Sequence, residues 1–189
     1  TLALLTALLW LPSGGTADDK DGWISLFNGK DLSGWKIGDA KQGKWKVENG
    51  MIVANGPRSH LFTERTFKNF EFKAEVMTTP GSNSGIYFHT KYQAVGFPGT
   101  GHESQVNVTH RDPVKTGSIY GVVKLFETPA KDNKWWEQHI IVRGQNIVVK
   151  IDGKTVLDYT EPAGIKGGRK LSSGSFAFQA HDPKSVVYF

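Results

Sequence analysis

Phe70-Glu71-Phe72-Lys73-Ala74-Glu75-Val76 alternates apolar and charged residues without a break. Successive side chains of an extended chain point to opposite faces, so Phe70, Phe72, Ala74 and Val76 share one side and the charges share the other. A helix would scatter the same residues around its axis. The segment predicts a half-buried β-strand, and the chain repeats the signal on both sides of it. Upstream, residues 44–47 and 51–54 flank Asn49-Gly50, a dipeptide suited to a two-residue hairpin turn. Downstream, residues 85–91 place Ile86 and Phe88 on one side and Tyr87 and His89 on the other. Residues 118–126 read as a strand with Tyr120, Val122 and Lys124 on one face. Residues 139–159 read as a three-strand meander that turns at Gly144-Gln145-Asn146 and at Asp152-Gly153. Residues 175–181 would bury Phe176 and Phe178 and leave Gln179 and His181 opposite, and residues 185–189 end the chain in mid-strand, as if cut short. No helical periodicity appears after residue 18. The expected architecture is one all-β domain over residues 18–189, built as a sandwich of two antiparallel sheets.

The chain has 189 residues and a net charge of +5, but its basic residues are interspersed with acids, which argues against a nucleic-acid partner. It has no cysteine, which excludes disulfides, thiolate metal sites and a thiol nucleophile. Residues 1–11 are apolar yet too short to span a bilayer, and Gly15 and Ala17 carry the small-residue spacing of a cleavage site. Residues 1–17 therefore read as a secretory signal lacking its basic start. The mature protein would be secreted or periplasmic, with no stable membrane insertion after cleavage, and bacterial by its lack of disulfides.

The strand His102-Glu103-Ser104-Gln105-Val106 carries the most informative polar face. Alternation puts Glu103, Gln105 and Asn107 together, a carboxylate and two amides without apolar cover. His89, Tyr120, Lys124, Gln179 and His181 fall on the corresponding faces of their own segments, and together they would line one groove suited to a carbohydrate. His60, His110 and His139 read as structural or surface histidines, and Trp23 and Trp35 as core anchors. Trp135 and Trp136 must face opposite ways, one buried and the other free to stack on a sugar.

Several motifs, in order, resemble the 3-keto-disaccharide hydrolase family. They begin with Gly22-Trp23-Ile24-Ser25-Leu26-Phe27-Asn28-Gly29-Lys30-Asp31-Leu32-Ser33-Gly34-Trp35, then Trp45-Lys46-Val47-Glu48-Asn49-Gly50 and Phe70-Glu71-Phe72. Next come Asn83-Ser84-Gly85-Ile86-Tyr87-Phe88, Glu103-Ser104-Gln105 and Thr116-Gly117-Ser118-Ile119-Tyr120-Gly121. Trp135-Trp136-Glu137 and Phe178-Gln179-Ala180-His181 complete the set. The resemblance implies a concanavalin A-like jelly roll and cleavage of sugars already oxidised at C3. His89 stands where many relatives carry arginine, and the residues flanking His181 depart from the commoner Asp-His-Gly.

Ordinary glycosidases need two carboxylates across the scissile bond, and the Glu103 strand offers one. A 3-keto sugar needs less, because its ketone acidifies the C2 proton. A single base then starts an elimination that expels the C1 substituent, and water adds to the enone. Glu103 or His181 is the candidate base, and Tyr120 or Lys124 the candidate partner of the enolate. Asn83, Gln105, Gln179, Asn107, His89 and Trp136 are the candidate substrate contacts. A divalent metal is a candidate cofactor, held by His89, Glu103 and His181. The alternative is a non-catalytic, lectin-like carbohydrate-binding module on the same sandwich. An ordinary glycosidase would need a loop carboxylate, with Glu127 and Glu137 as candidates.

Overall fold

The computed structural model describes residues 22–41 and 44–189, so the proposed signal segment lies outside the described residues. Twelve strands make up the described fold, in chain order β1 (Trp35–Gly38), β2 (Lys44–Glu48), β3 (Met51–Asn55), β4 (Ser59–Thr63), β5 (Phe70–Thr78) and β6 (Asn83–Thr90). They continue with β7 (His102–Asn107), β8 (Trp136–Arg143), β9 (Asn146–Ile151), β10 (Lys154–Thr160), β11 (Ser175–Ala180) and β12 (Val186–Tyr188). They form a five-stranded sheet, β1-β4-β11-β6-β7, and a seven-stranded sheet, β10-β9-β8-β5-β12-β3-β2. Every pairing is antiparallel, and both sheets join strands distant in sequence, as a jelly roll requires. No helix among the described residues is long and apolar enough to cross a membrane.

The alternating stretch becomes β5, with Phe72 and Val76 buried and Glu71, Lys73 and Glu75 exposed. Asn49 and Gly50 both take positive φ, +51° and +77°, which closes the β2–β3 hairpin with the twist its strands need. The meander begins at Trp136, three residues earlier than the periodicity suggested. The main core lies between the sheets, where Leu61, Ile86, Phe88, Val106 and Phe178 meet Ile52, Phe72, Val76, Trp136 and Ile140. Trp35 stacks on Phe178 at 5.2 Å and donates its indole N–H to Leu26 O, anchoring the opening segment.

Two local features depart from simple alternation. Residues 118–126 are not a strand. Their start runs along the free edge of β7, with Gln105 N donating to Ser118 O and Tyr120 N to Glu103 O, and then turns back through Gly121 so that Ile119 bridges Val123. The second feature is a bulge in β6. Ala177 pairs with Tyr87 but Ser175 pairs with Thr90, so β6 carries an extra residue, and His89 adopts φ +54°. That left-handed residue turns its side chain out of the strand's alternation.

Candidate functional site

The five-stranded sheet buries residues on both faces. Its inner face meets the core, and its outer face carries a small second cluster of Phe62, Tyr87 and Ala177. On that outer face lies a cavity of about 300 Å³ lined by Tyr87, Glu103, Gln105, Gln179, Arg169 and His181, with Asn83, Phe97, Asp112 and Tyr120 at its walls. An adjoining cavity of about 670 Å³ shares Asn83, Asp112, Tyr120 and His181 and extends to His110 and Lys124. An apolar cleft of about 470 Å³ along residues 22–27 is walled by Phe67, Phe70, Phe72, Phe176 and Phe178 and offers little chemistry.

Glu103 sits on the floor of the polar cavity, 4% exposed. Its place depends on Gly85, since a Cβ there would stand 2.2 Å from Glu103 Oε1. Burial pushes the Glu103 carboxyl up to about 7 against hydrogen bonds from Tyr87 and Gln179 and the charge of Arg169, which favour its ionised form. Gln179 Nε2 bridges Tyr87 Oη at 3.0 Å and Glu103 Oε1 at 3.2 Å. Burial also drives the Tyr87 phenol far above its ordinary range, so it remains a hydrogen-bond donor. The result is a carboxyl poised to exchange a proton near neutral pH, inside a ring of donors.

His181 lies just beyond β11 at the rim. Its Nδ1 meets Asp182 Oδ2 at 2.9 Å. Partial burial opposes ionisation of Asp182, yet hydrogen bonds from His181, Ser185 and the Lys184 N–H hold it down at about 2. The carboxylate thus fixes the His181 tautomer and leaves Nε2 free for proton transfer. Asn83 and Gln105 are buried beside each other, with Gln105 Nε2 donating to Asn83 Oδ1 at 3.3 Å. Tyr120 is 40% exposed and its hydroxyl lies 3.4 Å from Asp112 Oδ2.

Other sequence-derived candidates fall elsewhere. His89 is turned away by the β6 bulge, and both its nitrogens are used, with Nε2 on Lys68 O and Nδ1 accepting the Ser172 N–H. Asn107 lies behind the cavity, where its amide holds Asp112 O and Val114 O and shapes the following loop. Trp136 is 2% exposed in the inter-sheet core, and it is Trp135 that reaches the surface. Lys124 is exposed in the outer cavity, away from Glu103, because its segment turns instead of pairing as a strand. Glu127 is outside the cavity, and Glu137 pairs with Lys73 on the seven-stranded sheet.

The metal set His89, Glu103 and His181 does not converge, since His89 faces another loop. Among the described residues the group with ligating spacing is His110, His181 and Asp182, whose candidate atoms lie within 4.8 Å of one another. His110 Nδ1 accepts the Asp112 N–H at 3.1 Å, which puts the ring proton on Nε2, 4.0 Å from Asp182 Oδ2. That tautomer suits a hydrogen-bonded cluster better than a ligand. Sequence reasoning missed Arg169, Tyr87 and Asp112. Tyr87 shares a strand face with Gly85 and Asn83 and was legible by alternation, whereas Arg169 and Asp112 come from loops that no periodicity describes.

These features can be set beside known proteins. A stretch of 81 residues is 37% identical to a 3-keto-disaccharide hydrolase of Bacteroides thetaiotaomicron, covering 37% of this chain and 28% of that protein. The chain therefore matches under a third of that relative's length. The fold resembles a protein assigned as a glycosyl hydrolase from Parabacteroides distasonis, with TM-score 0.73 and 24% identity over 86% of this chain and 88% of the other. It also resembles the carbohydrate-binding module CBM66 of Bacillus subtilis, with TM-score 0.59 and 14% identity over 84% and 94% of the two chains. Residues 22–189 match the family described as the 3-keto-alpha-glucoside-1,2-lyase-like domain, and the chain belongs to that family.

Proposed function

We propose that the protein is an exported enzyme that cleaves 3-keto glycosides or 3-keto disaccharides. The observation that carries this reading is Glu103, a single buried carboxyl with its proton affinity near 7, on the floor of a polar cavity. Its carboxylate takes the C2 proton of the substrate. The C–H pair becomes the C2=C3 bond and the carbonyl pair moves to O3. When the enolate collapses, the C1–O1 bond breaks and the leaving oxygen takes the Nε2 proton of the His181 imidazolium, whose Nδ1–H Asp182 holds. Water then adds at C1, giving its proton back to His181, and Glu103 returns the proton to C2. The inner cavity suits one sugar ring, and the adjoining cavity, with Lys124 and His110 on its wall, suits the leaving group. Family membership and the name of the Bacteroides relative support the substrate class. The leader-like residues 1–17 support export to the periplasm or beyond.

The test is release of the leaving group from a 3-keto glucoside beside its unoxidised parent, with and without a chelator. Cleavage of the keto form alone is expected. Cleavage of the parent would instead favour a two-carboxylate glycosidase, with Asp112 as the second group in the cavity. The likeness to CBM66 favours a second reading, a binding module; cleavage of neither form together with measurable glycan binding would establish it.

A further inference from the structure

Arg169 is the only permanently cationic side chain among the described residues lining the inner cavity. Its guanidinium lies 5.7 Å from the Tyr87 ring centroid, beside the phenol that hydrogen-bonds Glu103. Arg169 Nη1 is shielded from solvent and has no hydrogen-bond partner among the described residues. The same holds for Gln179 Oε1, which also lines the cavity. The cavity thus presents one unmet donor and one unmet acceptor, each costly to leave so inside a protein. A sugar bearing a carbonyl next to a hydroxyl satisfies both.

The loop that carries Arg169 is fixed with unusual care. Both carboxylate oxygens of Glu161 accept the Leu171 N–H, at 2.9 and 3.1 Å, and Glu161 Oε2 also meets His102 Nε2 at 2.8 Å. Ser172 N donates to His89 Nδ1, and Gly101 N donates to Gly168 O. A Cβ at Gly168 would stand 2.2 Å from Gly99 O, so only glycine permits this approach. His89, His102 and Glu161, which the elimination chemistry does not use, therefore brace the residues on either side of Arg169. A guanidinium held in place before reaction stabilises developing charge without reorganising.

We infer that Arg169 is the catalytic residue that pairs with O3 of a 3-keto sugar, hydrogen-bonding the carbonyl in the ground state and the oxyanion more strongly as the C2 proton leaves. Gln179 Oε1 accepts from the neighbouring hydroxyl. The assignment rests on the function proposed above. It moves the enolate partner from Tyr120 and Lys124, which are exposed, to a shielded cation beside the base.

The experiment uses Arg169→Gln and Arg169→Lys with two substrates. The first is a 3-keto glucoside, read by leaving-group release. The second is a 3-keto 1,5-anhydro sugar, which has no C1 leaving group and reports enolate formation as exchange of its C2 proton in deuterium oxide. Arg169→Gln should slow both reactions about 100-fold or more through kcat with a smaller change in KM. Guanidinium salt should restore part of the activity, and Arg169→Lys should retain more than Arg169→Gln. Rescue separates the charge's role from a merely structural one, and melting temperatures check that each variant folds. If wild type performs both reactions and Arg169→Gln stays within threefold of it, the arginine assignment falls and the function stands. A loss that neither guanidinium nor Arg169→Lys relieves also overturns it. If wild type performs neither reaction, the proposed function falls and takes this assignment with it.

Discussion

At the level of single residues, the site turns on the contrast between Glu103 and Asp182. Both are carboxyls near the same cavity, yet burial lifts one to about 7 while hydrogen bonds hold the other at about 2. A base must be ionised to act, so kcat/KM for a 3-keto glucoside with a good leaving group should rise with pH and level off above a midpoint near 7. Glu103→Gln should lower kcat by about 10³-fold or more at pH 8, since it removes the proton acceptor and keeps the shape. A profile flat from pH 5 to 8 would show that another group takes the proton. Arg169 lowers the proton affinity of Glu103, so Arg169→Gln should also move that midpoint upward, which a change in packing alone would not do. His181 acts at the leaving group instead. His181→Asn should slow substrates with poor leaving groups far more than those with good ones, because only the former need the proton it delivers.

At the level of elements, β6 determines what the sheet can display. Gly85 leaves the space that Glu103 Oε1 occupies, so Gly85→Ala must push the carboxylate aside or open the β6–β7 pair. The expected result is a destabilisation of about 1–3 kcal/mol in urea denaturation together with a loss of turnover larger than any change in KM. Full activity in that variant would mean that Glu103 can act from another position. The inter-sheet side is held by Gln138 of β8, whose Nε2 reaches Ser104 Oγ at 2.8 Å and Gln105 O at 3.3 Å. The strand carrying the base is thus tied to the opposite sheet. Alternation revealed β5 and the polar face of β7 because each has distinct inside and outside residues. It could not reveal β1 or β4, since β1 is short and β4, Ser59-His60-Leu61-Phe62-Thr63, has no apolar–polar alternation. Nor could it see the β6 bulge, where one left-handed residue sends His89 to the arginine loop instead of the groove. The strand residues Glu103, Gln105 and Gln179 were therefore readable in sequence. The loop groups Arg169 and Asp112 were not, because their position depends on contacts between segments far apart in the chain.

For the molecule as a whole, the cavity face of the five-stranded sheet carries two buried titratable groups whose linkage to folding has opposite sign. His60 is fully buried on that face between Tyr87 and Phe97, with neither ring nitrogen partnered among the described residues, and burial lowers it to about 4. It stays neutral in the fold while the unfolded chain takes up a proton below about 6.5, so its contribution to stability is lost as pH falls from 6.5 toward 4. Glu103 is the reverse. Its raised value favours the protonated fold, so its contribution is present below about 4.5 and is lost as pH rises toward 7. Between these limits the two slopes oppose each other, and the reactive carboxyl titrates with little net change in stability. Separating them makes the argument testable by urea denaturation at two pH values. Glu103→Gln should stabilise the fold by up to about 3 kcal/mol at pH 8 and by under about 1 kcal/mol at pH 5. His60→Phe should do the opposite, gaining about 2 kcal/mol at pH 5 from the removed ionisation and much less of that gain at pH 8. Equal effects of Glu103→Gln at both pH values would mean that its carboxyl ionises as freely in the fold as in water. The cavity would then lack the shielding that makes Glu103 a base near neutral pH.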